Sequence, residues 1–231
     1  AIRKEKILEQ EKEKIHYRTG LKNITILHMG GTFSSRVDYN TGAVSASFTP
    51  EDIVEMFPEL KDIANIKSRL IRNMFSEDMN LNHYNLIAKE IASENCDGII
   101  VTHGTDTMHY TAAALTLILR NLDMPVILTG AQRSSDRGSS DAFLNLICAL
   151  NFIVKTDFVG VAICMHENLN DENCLILPGL KTRKMHSSRR DAFKPVNSLP
   201  IAIISQNKVE FFSDYHKKNG KKMDLKFFNQ D

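Results

Sequence analysis

Two short motifs place hydroxyl and carboxylate groups directly after predicted buried strands. "NITILHMGGT" ends in Gly-Gly-Thr at 30–32, and "DGIIVTHGTD" ends in Gly-Thr-Asp at 104–106. Glycine lets backbone N–H groups approach a ligand closely, which is how an oxyanion site can be built beside a hydroxyl. Because ligands of open parallel sheets bind outside the carboxyl ends of the strands, the two motifs predict a site at that edge.

A purely structural role can explain each motif taken alone. A Gly-Thr-Asp sequence at a strand end can simply turn the chain, with Asp106 capping the following helix. Gly30 and Gly31 do not form a GxGxxG fingerprint, so a dinucleotide site is only weakly indicated. Spacing alone does not join Thr32 to Thr105.

The elements around these motifs alternate between strands and helices. Apolar runs predict strands at 23–31, 98–102, 124–130 and 158–165, and the segment at 67–74 is a further candidate strand. Apolar spacings of three or four predict a helix at 80–96, and the alternation continues with helices at 106–122 and 139–154. A further helix is predicted to start at Thr49 and Pro50. From Cys174 onward the pattern changes to short pieces that predict a hairpin and edge strands. The alternation predicts an α/β fold with a mainly parallel sheet and helices on both faces.

Composition sets the limits on domains and location. The 231 residues are 42% hydrophobic and 25% charged, as in an ordinary globular protein. We expect a charged linker or helix over 1–20 and one α/β domain over 21–231. No apolar run approaches the about 20 residues that span a bilayer, and no signal peptide is evident, so we expect a cytoplasmic protein without membrane contact.

Cysteine and histidine patterns indicate no metal site and no cofactor. The four cysteines form no CxxC pair, and the eight histidines form neither HExxH nor HxH. We therefore expect reduced thiols. The net charge of +1 gives no global signal for nucleic acid. A group of basic residues could contact tRNA or form a solvated face: Arg183, Arg189, Arg190, Lys194, Lys217, Lys218, Lys221 and Lys222.

Five segments, in this order, resemble the bacterial-type L-asparaginase family: "HMGGTFSSRVDY", "NMFSEDMN", "VTHGTDTMHYTAAAL", "LTGAQRSSDRGSSDAFLNL" and "KTRKMHSSRRDAFKPVN". "VDYNTGAV", "AQRSSDR" and "KMHSSRRDAF" favour the asparaginase-like D subunit of the archaeal glutamyl-tRNA(Gln) amidotransferase over free asparaginases. The resemblance runs from about residue 23 to about residue 225. Met29 departs from it, because the family usually has Thr before Gly-Gly-Thr, and we expect its side chain to face the packing side.

The resemblance implies a set of site residues. Thr32 would be the nucleophile, followed by a lid loop in which Tyr39 would assist catalysis. A second group would contain Thr105, Asp106 and Lys184. The substrate's α-carboxylate and α-ammonium would be held by Ser76 and Glu77, with Asp106 sharing the ammonium.

Lys184 could have either of two roles, that of a neutral base or that of a charged group. A threonine hydroxyl needs a base or relay beside it to act as a nucleophile. Asp106 favours the charged ammonium of Lys184, whereas a base must be neutral. Either desolvation opposes that pull, or Lys184 orients groups and stabilises charge.

The implied reaction is hydrolysis of glutamine to supply ammonia for amidation of Glu-tRNA(Gln). The implied partners are another amidotransferase component, tRNA and further copies of the chain in a homodimer or higher oligomer. One alternative is a free L-asparaginase that acts on asparagine. The family also has a smaller C-terminal domain that completes the neighbouring subunit's site, and we expect that domain to be missing here. A second alternative is therefore a truncated, non-catalytic module that binds an amino acid or a subunit.

Overall fold

The computed structural model of the chain describes residues 17–30, 35–37, 44–46, 58–133, 138–218, 220 and 222–229. The described helices are α1 (Leu81–Ser93), α2 (Met108–Ile118) and α3 (Ala142–Lys155), with short 3-10 helices at Pro58–Asp62 and Ser76–Asp78. The described strands are β1 (Asn23–His28), β2 (Ser35–Val37), β3 (Val44–Ala46), β4 (Asn65–Leu70), β5 (Gly98–Thr102), β6 (Leu119–Arg120), β7 (Pro125–Thr129), β8 (Gly160–His166), β9 (Cys174–Pro178), β10 (Thr182–Lys184), β11 (Phe193–Pro195), β12 (Ala202–Ile204), β13 (Val209–Phe211) and β14 (Asp224–Leu225).

Eight of these strands form one sheet, in the order β13-β12-β9-β8-β7-β5-β1-β4. The neighbours from β4 to β8 are parallel. The remaining pairs, out to β13 at the edge, are antiparallel. The predicted mainly parallel sheet is confirmed, as is the change to a hairpin and an edge strand late in the chain.

Alternate residues of the central strands pack against opposite layers of helix. Ile100 and Ile127 belong to the core cluster on the α3 side, where Phe152 is fully buried. Their neighbours Ile99 and Leu128 belong to the cluster that contains buried residues of α1 and α2. Because successive side chains of a strand point to opposite faces, the sheet is covered by helices on both sides, as predicted.

Several element boundaries differ from the prediction, and the contacts explain three of them. β4 ends at Leu70 because its partner β1 ends at His28, the residue opposite Leu70. α2 ends at Ile118, and the next two residues pair with β14 instead. α3 begins only at Ala142, because the preceding carboxylate, that of Asp141, accepts the backbone N–H groups of residues 132 and 133.

Several further predictions concern side chains and segments outside the sheet. Met29 is buried, as predicted for a packing residue. The four cysteines are free, as predicted. The helix predicted from Thr49 lies outside the described residues. None of the helices that the structure describes is long and apolar enough to cross a membrane.

Candidate active site

Thr105, Asp106 and Lys184 lie together at the carboxyl edge of the parallel strands. Thr105 and Asp106 follow β5, and Lys184 is the last residue of β10. The Lys184 ammonium donates to Thr105 Oγ1 at 2.8 Å and to Asp106 Oδ1 at 2.8 Å. The Lys184 side chain is 7% exposed, whereas that of Asp106 is 53% exposed. A cation this buried needs compensating acceptors, and these two residues supply them.

Lys184 reaches this place because its hairpin is anchored in the core. Lys184 pairs with Phe193 across the β10–β11 ladder, and Phe193 is fully buried. The loop between the two strands is held by Arg189, whose guanidinium donates twice to the Asp191 carboxylate at 2.8 and 3.0 Å. The hydrogen bonds from Arg189 lower the pKa of Asp191 to about 2. The sequence predicted Lys184 through the family motif but gave no sign of this hairpin.

Ser76 lies against the same turn, although it comes from a separate segment. Ser76 is only 3% exposed, and its backbone carbonyl accepts the Thr107 hydroxyl at 2.6 Å. Its own hydroxyl donates to Glu77 Oε2 at 3.1 Å. A Cβ on Gly104 would lie 2.8 Å from the Ser76 Cβ, so only glycine allows the two segments to approach this closely. The structure thus brings the predicted substrate-binding residues beside the Thr105 turn.

Gln132 is a site residue that sequence reasoning missed. Its Oε1 accepts the Thr105 hydroxyl at 2.9 Å, and its Nε2 donates to the Arg189 carbonyl at 2.9 Å. Its backbone N–H donates to the buried Asp141 carboxylate at 3.0 Å. The feature of the sequence that could have indicated Gln132 is its position in "TGAQRSS", three residues after the end of β7.

His103 supports the turn and is not a free base. Its Nδ1 lies 2.7 Å from the Gly104 carbonyl, which can only accept, so Nδ1 carries the hydrogen. Its Nε2 therefore accepts from the Thr111 hydroxyl at 2.9 Å. Burial lowers the pKa of His103 to about 4, so the ring is neutral at neutral pH.

A pocket of about 300 Å³ opens beside Lys184. It is lined by Asp106, His109, Lys184, Met185, His186 and Ser187. Burial, together with the positive charges of Arg183 and Lys184, lowers the pKa of His109 to about 4, so this ring is neutral as well. The described lining of this pocket therefore offers an entering molecule the ammonium of Lys184 and the carboxylate of Asp106.

Two predicted catalytic residues, Thr32 and Tyr39, lie outside the described residues. The strand before Thr32 ends at the same edge, because the Met29 N–H donates to the Thr102 carbonyl at 3.0 Å. Asp106 does not cap α2, since the N-cap is Thr107 and the Asp106 carboxylate bonds to Lys184. Within the described part of the chain, no three His, Cys, Asp or Glu side chains form a group that could hold a metal ion.

The arrangement suits chemistry at a hydroxyl in a polar site. An ammonium that donates to a hydroxyl stabilises the negative charge that develops when the hydroxyl loses its proton. A carboxylate beside it is suited to a positively charged group of a bound molecule. Such a combination fits a small zwitterionic substrate attacked by an oxygen nucleophile.

The family model described as "Asparaginase, N-terminal" matches residues 23–217. The chain belongs to the asparaginase family. Among curated relatives, the D subunit of the glutamyl-tRNA(Gln) amidotransferase of Pyrococcus furiosus is 51% identical over 211 residues, covering 90% of this chain and 48% of that protein. The corresponding D subunit of Methanococcus vannielii is 52% identical over 188 residues, covering 80% and 44%. This family member thus spans about half the length of those relatives.

Solved asparaginases share its fold. The thermostable L-asparaginase from Thermococcus kodakarensis superposes with a TM-score of 0.76 at 31% identity, covering 86% of this chain and 58% of that one. A probable cytoplasmic L-asparaginase from Campylobacter jejuni gives a TM-score of 0.72 at 31% identity, covering 86% and 61%. The resemblance predicted from five motifs is confirmed for both the family and its amidotransferase relatives.

The basic residues named from the sequence differ in their exposure. Arg190 is not on a solvated face, because its side chain is mostly buried and bonds to Asp171 and to two backbone carbonyls. Arg183 lies over the Tyr110 ring at 5.1 Å. By contrast, Lys217 and Lys218 are exposed and form surface ion pairs. Of the other basic residues named from the sequence, Arg183, Arg189 and Lys222 are exposed too, as a solvated face requires, and Lys221 lies outside the described residues.

Proposed function

We propose that this asparaginase-family chain is the amide-hydrolysing part of a glutamyl-tRNA(Gln) amidotransferase, releasing ammonia from glutamine for amidation of Glu-tRNA(Gln). The observation that carries the proposal is the contact of the Lys184 ammonium with both Thr105 and Asp106 at 2.8 Å. The amidotransferase relatives support the tRNA-dependent role. The cytoplasmic location expected from the sequence remains part of the proposal.

We assign the residue roles as follows. Thr32 is the proposed nucleophile and Tyr39 its helper. Thr105 and Lys184 form the second group, in which the doubly donating lysine orients the hydroxyl and stabilises developing charge rather than acting as a resting base. Ser76, Glu77 and Asp106 hold the amino-acid end of the substrate: Ser76 suits the α-carboxylate, whereas Glu77 and Asp106 suit the α-ammonium.

Free asparaginase activity is the second candidate within this class. The observation that favours it is the fold shared with solved L-asparaginases at 31% identity. A non-catalytic module that binds an amino acid or a subunit is the alternative to both enzymes. The chain spans about half the length of its curated relatives. We propose an oligomer in which a partner subunit and tRNA join the chain.

The test compares ammonia release from glutamine and from asparagine, with and without Glu-tRNA(Gln) and the partner subunit of the amidotransferase. The proposal predicts that glutamine is the better substrate and that its turnover rises when tRNA and the partner are present. Asparagine turnover that is faster than glutamine turnover, and that is the same with and without tRNA and the partner subunit, favours the free asparaginase. Binding of either amino acid by calorimetry without any hydrolysis favours the non-catalytic module.

A further inference from the structure

The hydroxyl of Thr105 lies between two neighbours whose chemistry fixes the direction of its hydrogen bonds. On one side is the Lys184 ammonium, 2.8 Å away, which can only donate. On the other side is Gln132 Oε1, 2.9 Å away, which can only accept. The hydroxyl therefore accepts from the lysine and gives its hydrogen to the glutamine.

The orientation of the Gln132 amide is set by a third group. Amide oxygen and nitrogen are nearly alike in shape, so their assignment depends on their partners. The partner at 2.9 Å on the far side of Gln132 is the backbone carbonyl of Arg189, which requires the amide nitrogen there. The oxygen must then face Thr105. The backbone N–H of Gln132, bound to Asp141 at 3.0 Å, holds the residue in place.

We propose that Gln132 is a positioning residue, whose amide oxygen takes the hydroxyl hydrogen of Thr105 and so fixes how Thr105 meets Lys184 and the substrate. With one lone pair bound by Lys184 and the hydrogen bound by Gln132, one lone pair of Thr105 is left for a proton that arrives during the reaction. Without the Gln132 acceptor, a hydroxyl on a residue only 7% exposed would lose the partner for its hydrogen. For its effect on turnover, this inference rests on the proposed amide hydrolysis.

Two substitutions separate the bond to Thr105 from the bond to Arg189. Gln132→Met keeps the length of the side chain and removes both bonds. Gln132→Glu keeps an oxygen acceptor for Thr105, loses the donor to the Arg189 carbonyl and adds a negative charge. We expect kcat for glutamine to fall at least roughly tenfold in Gln132→Met and to stay within about threefold of the wild type in Gln132→Glu. KM should stay within about threefold in both, and Tm should fall by a similar amount in both. Gln206→Met, at an exposed glutamine, is the matched control and should change neither kcat nor Tm.

A merely structural role for Gln132 predicts a different pattern. In that case the Glu variant, which also loses the tie to Arg189, would lose as much kcat as the Met variant. That result, or an unchanged kcat in Gln132→Met, would overturn the proposal.

Neutron diffraction from crystals of the deuterated protein tests the same point without any turnover. We expect the deuterium of the Thr105 hydroxyl on the line to Gln132 Oε1. A deuterium bonded to Thr105 Oγ1 and pointing at Lys184 Nζ would overturn the proposal, whereas a deuterium bonded to Nζ on that line belongs to the donating ammonium. A wild-type protein that releases no ammonia would contradict the proposed function, and the neutron map would still decide the role of Gln132.

Discussion

At the residue scale, the site depends on a lysine that is buried although its carboxylate partner is mostly exposed. The Lys184 side chain is 7% exposed and that of Asp106 is 53% exposed, so water screens the anion more than the cation. Such a pair contributes little to stability on its own. In the proposed reaction, the pair holds a positive charge against the hydroxyl of Thr105, where it stabilises a developing negative charge.

Replacing this lysine should therefore damage turnover far more than folding. We expect Lys184→Met to lower kcat for glutamine by roughly 10²–10³-fold, the usual effect of removing one electrostatic donor from a reaction centre. Tm should change by only a few degrees, because the mostly exposed Asp106 is hydrated once its partner is gone. The matched control is Lys208→Met, whose side chain is 76% exposed. Equal rates of ammonia release by the two variants would show that Lys184 does not take part in the reaction.

His103 gives the fold a dependence on pH. Its pKa lies at about 4 in the folded protein against an ordinary value of 6.5, so the unfolded chain binds the proton more readily. The stability from keeping this ring neutral is complete above about pH 7 and is lost as the pH falls from about 6.5 towards 4. At pH 5, the unfolding free energy lost through His103 amounts to about 2 kcal/mol relative to neutral pH.

Urea unfolding at pH 7.5 and pH 5 measures this effect. We expect the loss of unfolding free energy between the two pH values to be smaller in His103→Gln than in the wild type, because the amide does not titrate. An identical loss in the two proteins would show that His103 does not carry the dependence.

At the element scale, the close approach of two turns decides where Ser76 lies. A Cβ on Gly104 would come within 2.8 Å of the Ser76 Cβ and within 2.9 Å of its Oγ. Gly104→Ala should therefore push the short helix at Ser76–Asp78 away from the turn, at a cost of roughly 1–3 kcal/mol in unfolding free energy. It should also weaken glutamine binding, measured by calorimetry.

The matched control for that substitution is Gly138→Ala, because an added Cβ at Gly138 would meet nothing within 4 Å. We expect its Tm and glutamine affinity to equal those of the wild type. Equal behaviour of the two alanine variants would contradict the packing argument.

The fold was predictable from the sequence where local pattern and tertiary structure agree. Four of the five parallel strands, β1, β5, β7 and β8, are short and rich in apolar, β-branched residues, and amphipathic spacing marks α1, so their order along the chain predicts the layers. The β10–β11 hairpin was not predictable, because "TRK" and "FKP" carry little apolar alternation and their pairing depends on the buried Phe193. Gln132 was missed for a similar reason, since a single polar residue after a strand has no periodicity. Lys184 could be predicted only through the family motif, because its contact partner Asp106 lies 78 positions earlier in the chain.

At the scale of the whole molecule, the chain contains a site but spans about half of the relatives it matches. The described residues supply Thr105, Asp106, Lys184, Ser76 and Glu77 at one edge of the sheet. The proposed ammonia supply to a tRNA-bound partner requires further components. Light scattering of the purified chain, alone and with the partner subunit, should reveal an oligomer that grows when the partner is added. A monomer under both conditions would contradict the proposed assembly.

The proposed function requires that the Thr105 hydroxyl takes part in hydrolysing an amide. The most direct test is the initial rate of ammonia release from glutamine by the wild type and by Thr105→Val, which keeps the shape of the side chain and removes the hydroxyl. The proposed function predicts clear release by the wild type and a rate at least roughly 100-fold lower in the variant, with an unchanged circular dichroism spectrum. A rate in Thr105→Val equal to that of the wild type would contradict it.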